Sequence, residues 1–245
     1  MIKKFLPVVL PALICFTASF SQNSDSLMLR QIADEIMANG KAYENLRFLC
    51  KKVGPRLSGS PQAAKSVVET ARMLKEAGAD TVYLQECMVP HWVRGAKEEA
   101  HLILANGKTY PLKAAALGNS VATPSNGLTS TVLEVRDFAE LEKLGPEVVK
   151  GKIVFYNFPM NPKTIQTFRA YGEAVQYRGS GPSRAAKLGA IGVIIRSVTP
   201  NNDDYPHTGS TNYNDSFPKI PAIAISTNDA VYLSNALKKR MVSRV

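Results

Sequence analysis

The residues able to do chemistry are few, and their spacing restricts what they can do. The chain has 245 residues with three histidines and three cysteines. His207 sits in Tyr205-Pro206-His207-Thr208-Gly209, inside a polar loop over residues 200–218 rich in Pro, Gly and Asn. Recognition residues gather in such loops, so His207 is a candidate substrate contact. An ordinary turn histidine is the competing account. Arg178-Gly179-Ser180-Gly181-Pro182-Ser183-Arg184 reads as a loop running into a helix start. Free amides at a helix N-terminus, flanked by two arginines, attract an anion. Arg178 is therefore a candidate carboxylate contact, although a plain loop and helix start is the simpler reading. The Gly-x-Gly fragment there is too short for a nucleotide fingerprint. His101 alternates with apolar neighbours and reads as a satisfied, half-buried histidine. His91, beside Trp92, reads as packing at a junction between two halves. Ser58 and Ser60 lack the G-x-S-x-G elbow of a serine nucleophile, and helix capping accounts for Ser60. Glu98-Glu99 reads as a charged pair before a strand.

The elements that must position these residues follow from hydrophobic period. Over 25–39, Leu29, Ile32, Ala33, Ile36 and Met37 share one helical face, ended by Gly40. A second helix puts Ala42, Leu46, Leu49 and Val53 inward and stops at Gly54-Pro55. Ser60 caps and Pro61 opens a third helix, whose buried stripe is Ala64, Val67, Val68, Ala71 and Leu74. The period then shortens. Strands are expected over 81–89, 101–104 and 108–112, the last two joined by the Asn106-Gly107 hairpin turn. A Gly/Pro/Ser/Thr-rich stretch over 118–127 marks a boundary. Beyond it come strands at 131–135, 152–156, 191–195 and 222–225, with helices at 138–143, 183–188 and 229–239. The fold class is α/β.

Composition narrows the setting. Met1-Ile2-Lys3-Lys4 is a basic start, residues 5–16 are apolar, and small residues precede Gln22. This is the pattern of a secretory signal peptide over 1–21, cut between Ser21 and Gln22, and it places the mature chain outside the cytoplasm, secreted or periplasmic. After that cut no further apolar run is long enough to span a membrane. The formal charge is +10, but the basic residues are scattered and no aromatic-interleaved basic stripe appears, so nucleic acid is not expected as a partner. Cleavage leaves Cys50 and Cys87. They could pair in an oxidising compartment, or stand as two buried thiols. No Cys/His spacing resembles a structural zinc site.

Several segments, in order, resemble one family. Tyr43-Glu44-Asn45-Leu46 and Gly54-Pro55-Arg56-Leu57-Ser58-Gly59-Ser60 resemble the opening of M28 zinc metallopeptidases. Val89-Pro90-His91-Trp92-Val93-Arg94-Gly95 resembles their carboxypeptidase Q branch. Residues 151–157 and 185–190 resemble the central strand and the helix of the protease-associated (PA) domain inserted in those enzymes. Residues 195–198, 205–209 and 218–221 continue the match.

The resemblance implies a partial, doubly wound M28 peptidase domain over 22–117, followed by a PA domain over 118–245. It implies a secreted exopeptidase acting on dipeptides or small peptides with two zinc ions, and a homodimer as one form of assembly. In that family the ligands form a His-x-Asp, a Glu-Glu pair and a further Asp and His, all beyond the PA domain. None of His91, His101 or His207 has an Asp two residues later, and Glu98-Glu99 precedes the PA segment. No residue here is expected to bind metal or to act in catalysis, so this chain alone is expected to be inactive. The alternative is a stand-alone secreted PA-type module that binds peptide or protein without catalysis.

Overall fold

The computed structural model describes residues 23–245. The signal-peptide segment, its Ser21/Gln22 cleavage point and Cys15 lie outside the described residues. The chain forms two compact units that divide between His91 and Trp92.

The first unit is helical. It contains α1 (Asn23–Asn39), α2 (Ala42–Phe48), a single π-helical turn at Leu49–Val53, and α3 (Pro61–Glu76). Ser60 caps α3, its Oγ accepting from the Ala63 amide at 3.1 Å. Arg56 Nη1 donates to the carbonyls of Leu49 and Gly54, both at 2.8 Å, and so ties down the end of the π-helical turn. Several expectations fail here. The α3 stripe does not face inward: Val67, Val68 and Leu74 are exposed, and the buried residue is Met73. Residues 81–89 join no ladder. A strand needs a neighbour to take its amides and carbonyls, and no described strand offers its edge to this segment. Cys50 and Cys87 are free and exposed, not buried.

The second unit holds two sheets. Strands β1 (Ala100–Leu104), β2 (Thr109–Leu112) and β8 (Val242–Arg244) form an antiparallel sheet in the order β2-β1-β8. The Asn106-Gly107 turn joins β1 to β2. Gly107 takes φ 80°, which a side chain would disfavour. The larger sheet has the order β3-β7-β6-β5-β4. Its members are β3 (Ala114–Ala116), β4 (Val132–Val135), β5 (Ile153–Tyr156), β6 (Gly192–Arg196) and β7 (Ala222–Ile225). β4 to β7 run parallel, with β3 antiparallel at one edge.

All four residues of β5 are buried, as a continuous apolar run in a parallel sheet covered on both faces demands. One face packs Val154, Tyr156, Val193 and Ile195 beneath α4 (Phe138–Val149) and α5 (Thr167–Lys187). The other packs Phe155, Ile194 and Ile225 against Leu102 of β1 and against Ala230 and Leu233 of α6 (Thr227–Lys238). Residues 92–117, grouped with the helical part from sequence, supply β1 to β3 here.

The largest departure from expectation is α5. It is continuous for 21 residues and runs through Gly179, Gly181 and Pro182, where sequence suggested a loop and a helix start at residue 183. Packing overrides the local breakers. Tyr156 lies so close to Gly181 that a Cβ there would come within 3.0 Å of its ring. The Tyr156 hydroxyl donates to the Gly181 carbonyl at 3.1 Å.

Candidate functional site

Parallel strands end together, and the crevice beyond their carboxyl ends is where open α/β sheets gather their functional loops. At this edge β6 delivers Arg196 and then Ser197. Ser197 is fully buried. Its Oγ donates to the Ile225 carbonyl at 2.7 Å and accepts from the His207 amide at 2.7 Å. This pins the loop that carries His207 against the strand ends. The loop is held from its far side as well. The Gly118 amide donates to the Gly209 carbonyl at 2.7 Å. The Asn212 amide donates to the Gly179 carbonyl of α5 at 2.8 Å. His207 is half-exposed, with Nε2 3.8 Å from Asp203 Oδ2, a separation suited to a loose ion pair when the ring is protonated.

Arg178 projects from α5 onto the same loop. Its Nη1 donates to the Thr208 carbonyl at 3.3 Å and its Nη2 to the Tyr171 hydroxyl at 2.6 Å. Its guanidinium lies flat against Gly209, where a Cβ would fall 2.4 Å from Cζ. Only glycine lets the arginine lie there. The two residues picked out by sequence, His207 and Arg178, are thus brought to one loop. The reason offered for Arg178 does not survive, because it stands inside α5 and has no free helix-end amides around it. Arg184, its expected companion, is engaged elsewhere: it pairs with Glu142 at 3.2 Å and stacks over Phe138 at 4.2 Å. Arg178 has no carboxylate partner among the described residues, and its Nε is buried without a hydrogen bond.

Beside this pair lies a groove of about 250 Å³, lined by Met160, Phe168, Tyr171, Val198, Pro200 and His207 among others. Phe168 is 91% exposed at its rim. An apolar floor with an imidazole at its edge, and with Tyr171 linking it to the Arg178 guanidinium, suits the end of a short peptide. Among the described residues no three His, Cys, Asp or Glu side chains gather where they could hold a metal ion.

Sequence reasoning missed a second polar group at the same strand ends. Asn157, just past β5, donates from Nδ2 to Glu134 Oε1 at 2.6 Å and accepts from Arg196 Nη1 at 3.3 Å. Ser234 of α6 donates to the same Glu134 oxygen at 2.7 Å. The only sequence signal was a lone Arg ending an apolar run. The other histidines serve differently. His91 packs on Gly59, where a Cβ would lie 2.7 Å from Nδ1. His101 is exposed, not half-buried, at the mouth of a cavity of about 400 Å³ between the two sheets. Glu99 lines that mouth. Glu98 pairs with Arg94 and accepts from the Ala116 amide at 2.9 Å; burial pushes its carboxyl up, but hydrogen bonds from its own amide, from the Ala116 amide and from Arg94 together hold it below the usual range.

Comparison with known proteins agrees with this architecture. Residues 108–233 match the PA domain family. The chain is 42% identical over 207 residues to carboxypeptidase Q of Xenopus laevis, covering 84% of this chain and 40% of that protein. It is 38% identical over 197 residues to human carboxypeptidase Q, covering 80% of this chain and 39% of that protein. The crystal structure of a peptidase M28 precursor from Shewanella amazonensis superposes with a TM-score of 0.80 at 31% identity, covering 90% of this chain and 49% of that one. The chain therefore spans about 40% of the length of the curated relatives it matches. With a PA domain, an α/β fold and this similarity across most of its length, the chain belongs to the carboxypeptidase Q branch of the M28 peptidase family.

Proposed function

We propose that this chain is the N-terminal portion of a secreted or periplasmic zinc-dependent exopeptidase that hydrolyses dipeptides or small peptides. In this reading residues 22–117 begin the peptidase domain and the PA domain follows. The observation that carries the proposal is the Arg178–His207 groove on a PA fold. It offers an imidazole on an apolar trough and, through Tyr171, a neighbouring cation, the features needed to hold the end of a short peptide. Arg178 would take the substrate carboxylate, with its position set by Tyr171 and by the bare backbone of Gly209. His207 would contact the substrate from the loop pinned by Ser197. Homodimer formation is part of the same proposal, as is the absence of nucleic-acid and membrane partners from the mature protein.

Two zinc ions would supply the hydrolytic chemistry of the full-length peptidase. The described residues do not fit that role, since no group of three ligating side chains converges among them. No catalytic step is assigned to them, and this chain by itself is expected to lack activity. A second reading, a non-catalytic PA-type binding module, draws support from residues 92–245, which enclose well-buried clusters of their own. The native protein can be sized in the secreted fraction with an antibody against the PA segment, while the purified chain is tested for bound zinc and dipeptide cleavage. The peptidase reading expects a native protein about twice this chain's mass and an inactive isolated chain. A native band at this chain's mass would favour the binding module. Stoichiometric zinc and dipeptide cleavage by the chain alone would overturn both.

A further inference from the structure

The Arg196 guanidinium is a half-buried charge without a counter-charge among the described residues. Of its five N–H donors, one has a partner among the described residues, the neutral Asn157 Oδ1 at 3.3 Å. Its Nε is buried with no hydrogen bond at all. Burial pulls its pKa below the ordinary arginine value, yet arginine stays charged under any physiological condition. The Glu134 carboxylate faces Asn157 and Ser234 instead. A half-buried cation with no charged partner among the described residues is costly and calls for a reason. The location supplies one, since Arg196 ends β6 at the carboxyl edge of the parallel sheet. It lies on the sheet face shared by Phe155 and Ile194, whereas Arg178 comes from α5, which covers the opposite face.

We propose that Arg196, with Asn157 beside it, forms a second carboxylate-binding site on the PA unit, separate from the Arg178–His207 groove. A carboxylate held by the Nη groups would supply the missing counter-charge, while the buried Nε–H lies out of its reach and reports on it. Its source is a peptide C-terminus or an Asp/Glu side chain. The inference does not rest on the peptidase reading.

The Arg196 Nε–H is shielded from solvent, so its NMR signal is the direct reporter in the full chain. Three capped peptides serve as probes: acetyl-Ala-Ala with a free carboxylate, acetyl-Ala-Glu-Ala-amide, and acetyl-Ala-Gln-Ala-amide as the neutral control. The expected result is a saturable shift of the Nε–H signal with one or both carboxylate peptides and none with the control. Whichever peptide acts identifies the source. Arg196→Met should weaken that binding at least tenfold while raising Tm by about 2–4 °C, because an uncompensated charge has been removed. Arg178→Ala should leave it unchanged. The proposal is overturned if no carboxylate peptide moves the signal. It is equally overturned if Arg196→Met and Glu134→Gln each lower Tm, because Glu134 would then be the internal counter-charge.

Discussion

At the scale of single residues, the site depends as much on what Gly209 lacks as on what Arg178 has. Any side chain at 209 meets the guanidinium at 2.4 Å. The obstacle is the far end of a flexible arginine, so Gly209→Ala should displace Arg178 without unfolding the protein, at a stability cost within about 1 kcal/mol. The displaced guanidinium loses Tyr171 and Thr208. In the full-length peptidase, KM for a dipeptide should therefore rise about tenfold, equivalent to about 1.4 kcal/mol of lost binding, with kcat changed less. Arg178→Ala should do the same. The double variant should be no worse than either single one, since both remove one interaction. Additive losses in steady-state kinetics would disprove the coupling. Residue 178 stood out in the sequence as an arginine in an unusual Gly/Pro setting. Its mode of placement was not, because the close approach to Gly209 spans 31 positions of sequence and leaves no local pattern.

At the scale of elements, the parallel strands were legible because a buried parallel sheet writes itself as apolar runs such as Ile153-Val154-Phe155-Tyr156. The long helix α5 was not, because Gly179, Gly181 and Pro182 carry the composition of a turn. Those residues have their own work in the helix. Gly181 admits the Tyr156 ring, and the Gly179 carbonyl accepts from Asn212 of the His207 loop. The Tyr156 hydroxyl sits in this contact, and burial pushes its pKa well above the ordinary tyrosine value. Burial also raises Tyr177 and Tyr110. An unfolded tyrosine ionises near pH 10, while these remain protonated in the fold. Their contribution is therefore intact below about pH 10 and is lost as pH rises toward the folded-state values. Tm should fall steeply above pH 10. Tyr156→Phe should cost about 1 kcal/mol at neutral pH by losing its hydrogen bond, and should make the alkaline fall of Tm shallower. Parallel Tm–pH curves for the two proteins would show that Tyr156 does not drive the effect.

At the scale of the whole molecule, the two units differ in how completely each buries its own apolar surface. Residues 92–245 enclose Phe155, Ile194 and Ile225 on one sheet face and Tyr156 and Ile195 on the other, all nearly inaccessible. In residues 23–91 the buried apolar side chains are Val53 and Met73, each at the limit of burial, while Leu29, Ile32, Ile36, Leu46, Val67, Val68 and Leu74 are exposed. The helical period of those residues was legible, and so was the need to cover them. Their covering was not, because a stripe records that a partner exists and says nothing about where it comes from. Under the peptidase proposal, a sheet from outside these residues would cover the outward stripe of α3. From Ala79 to Glu99 the backbone forms no helix or strand, and exposed chain of that kind is where proteases cut first. Brief digestion of the chain with thermolysin should therefore cleave within residues 79–91 and leave a resistant fragment beginning near Trp92. Trp92 itself is anchored, donating from its indole to the Ser120 carbonyl at 3.1 Å beneath the Arg94 guanidinium. Mass spectrometry of the fragment reads the outcome. A resistant core starting near Gly118 would mean that β1 to β3 are peripheral to the PA fold. Resistance over the whole of 23–245 would mean that the helical unit is stable without a partner, which would favour the stand-alone module over the peptidase.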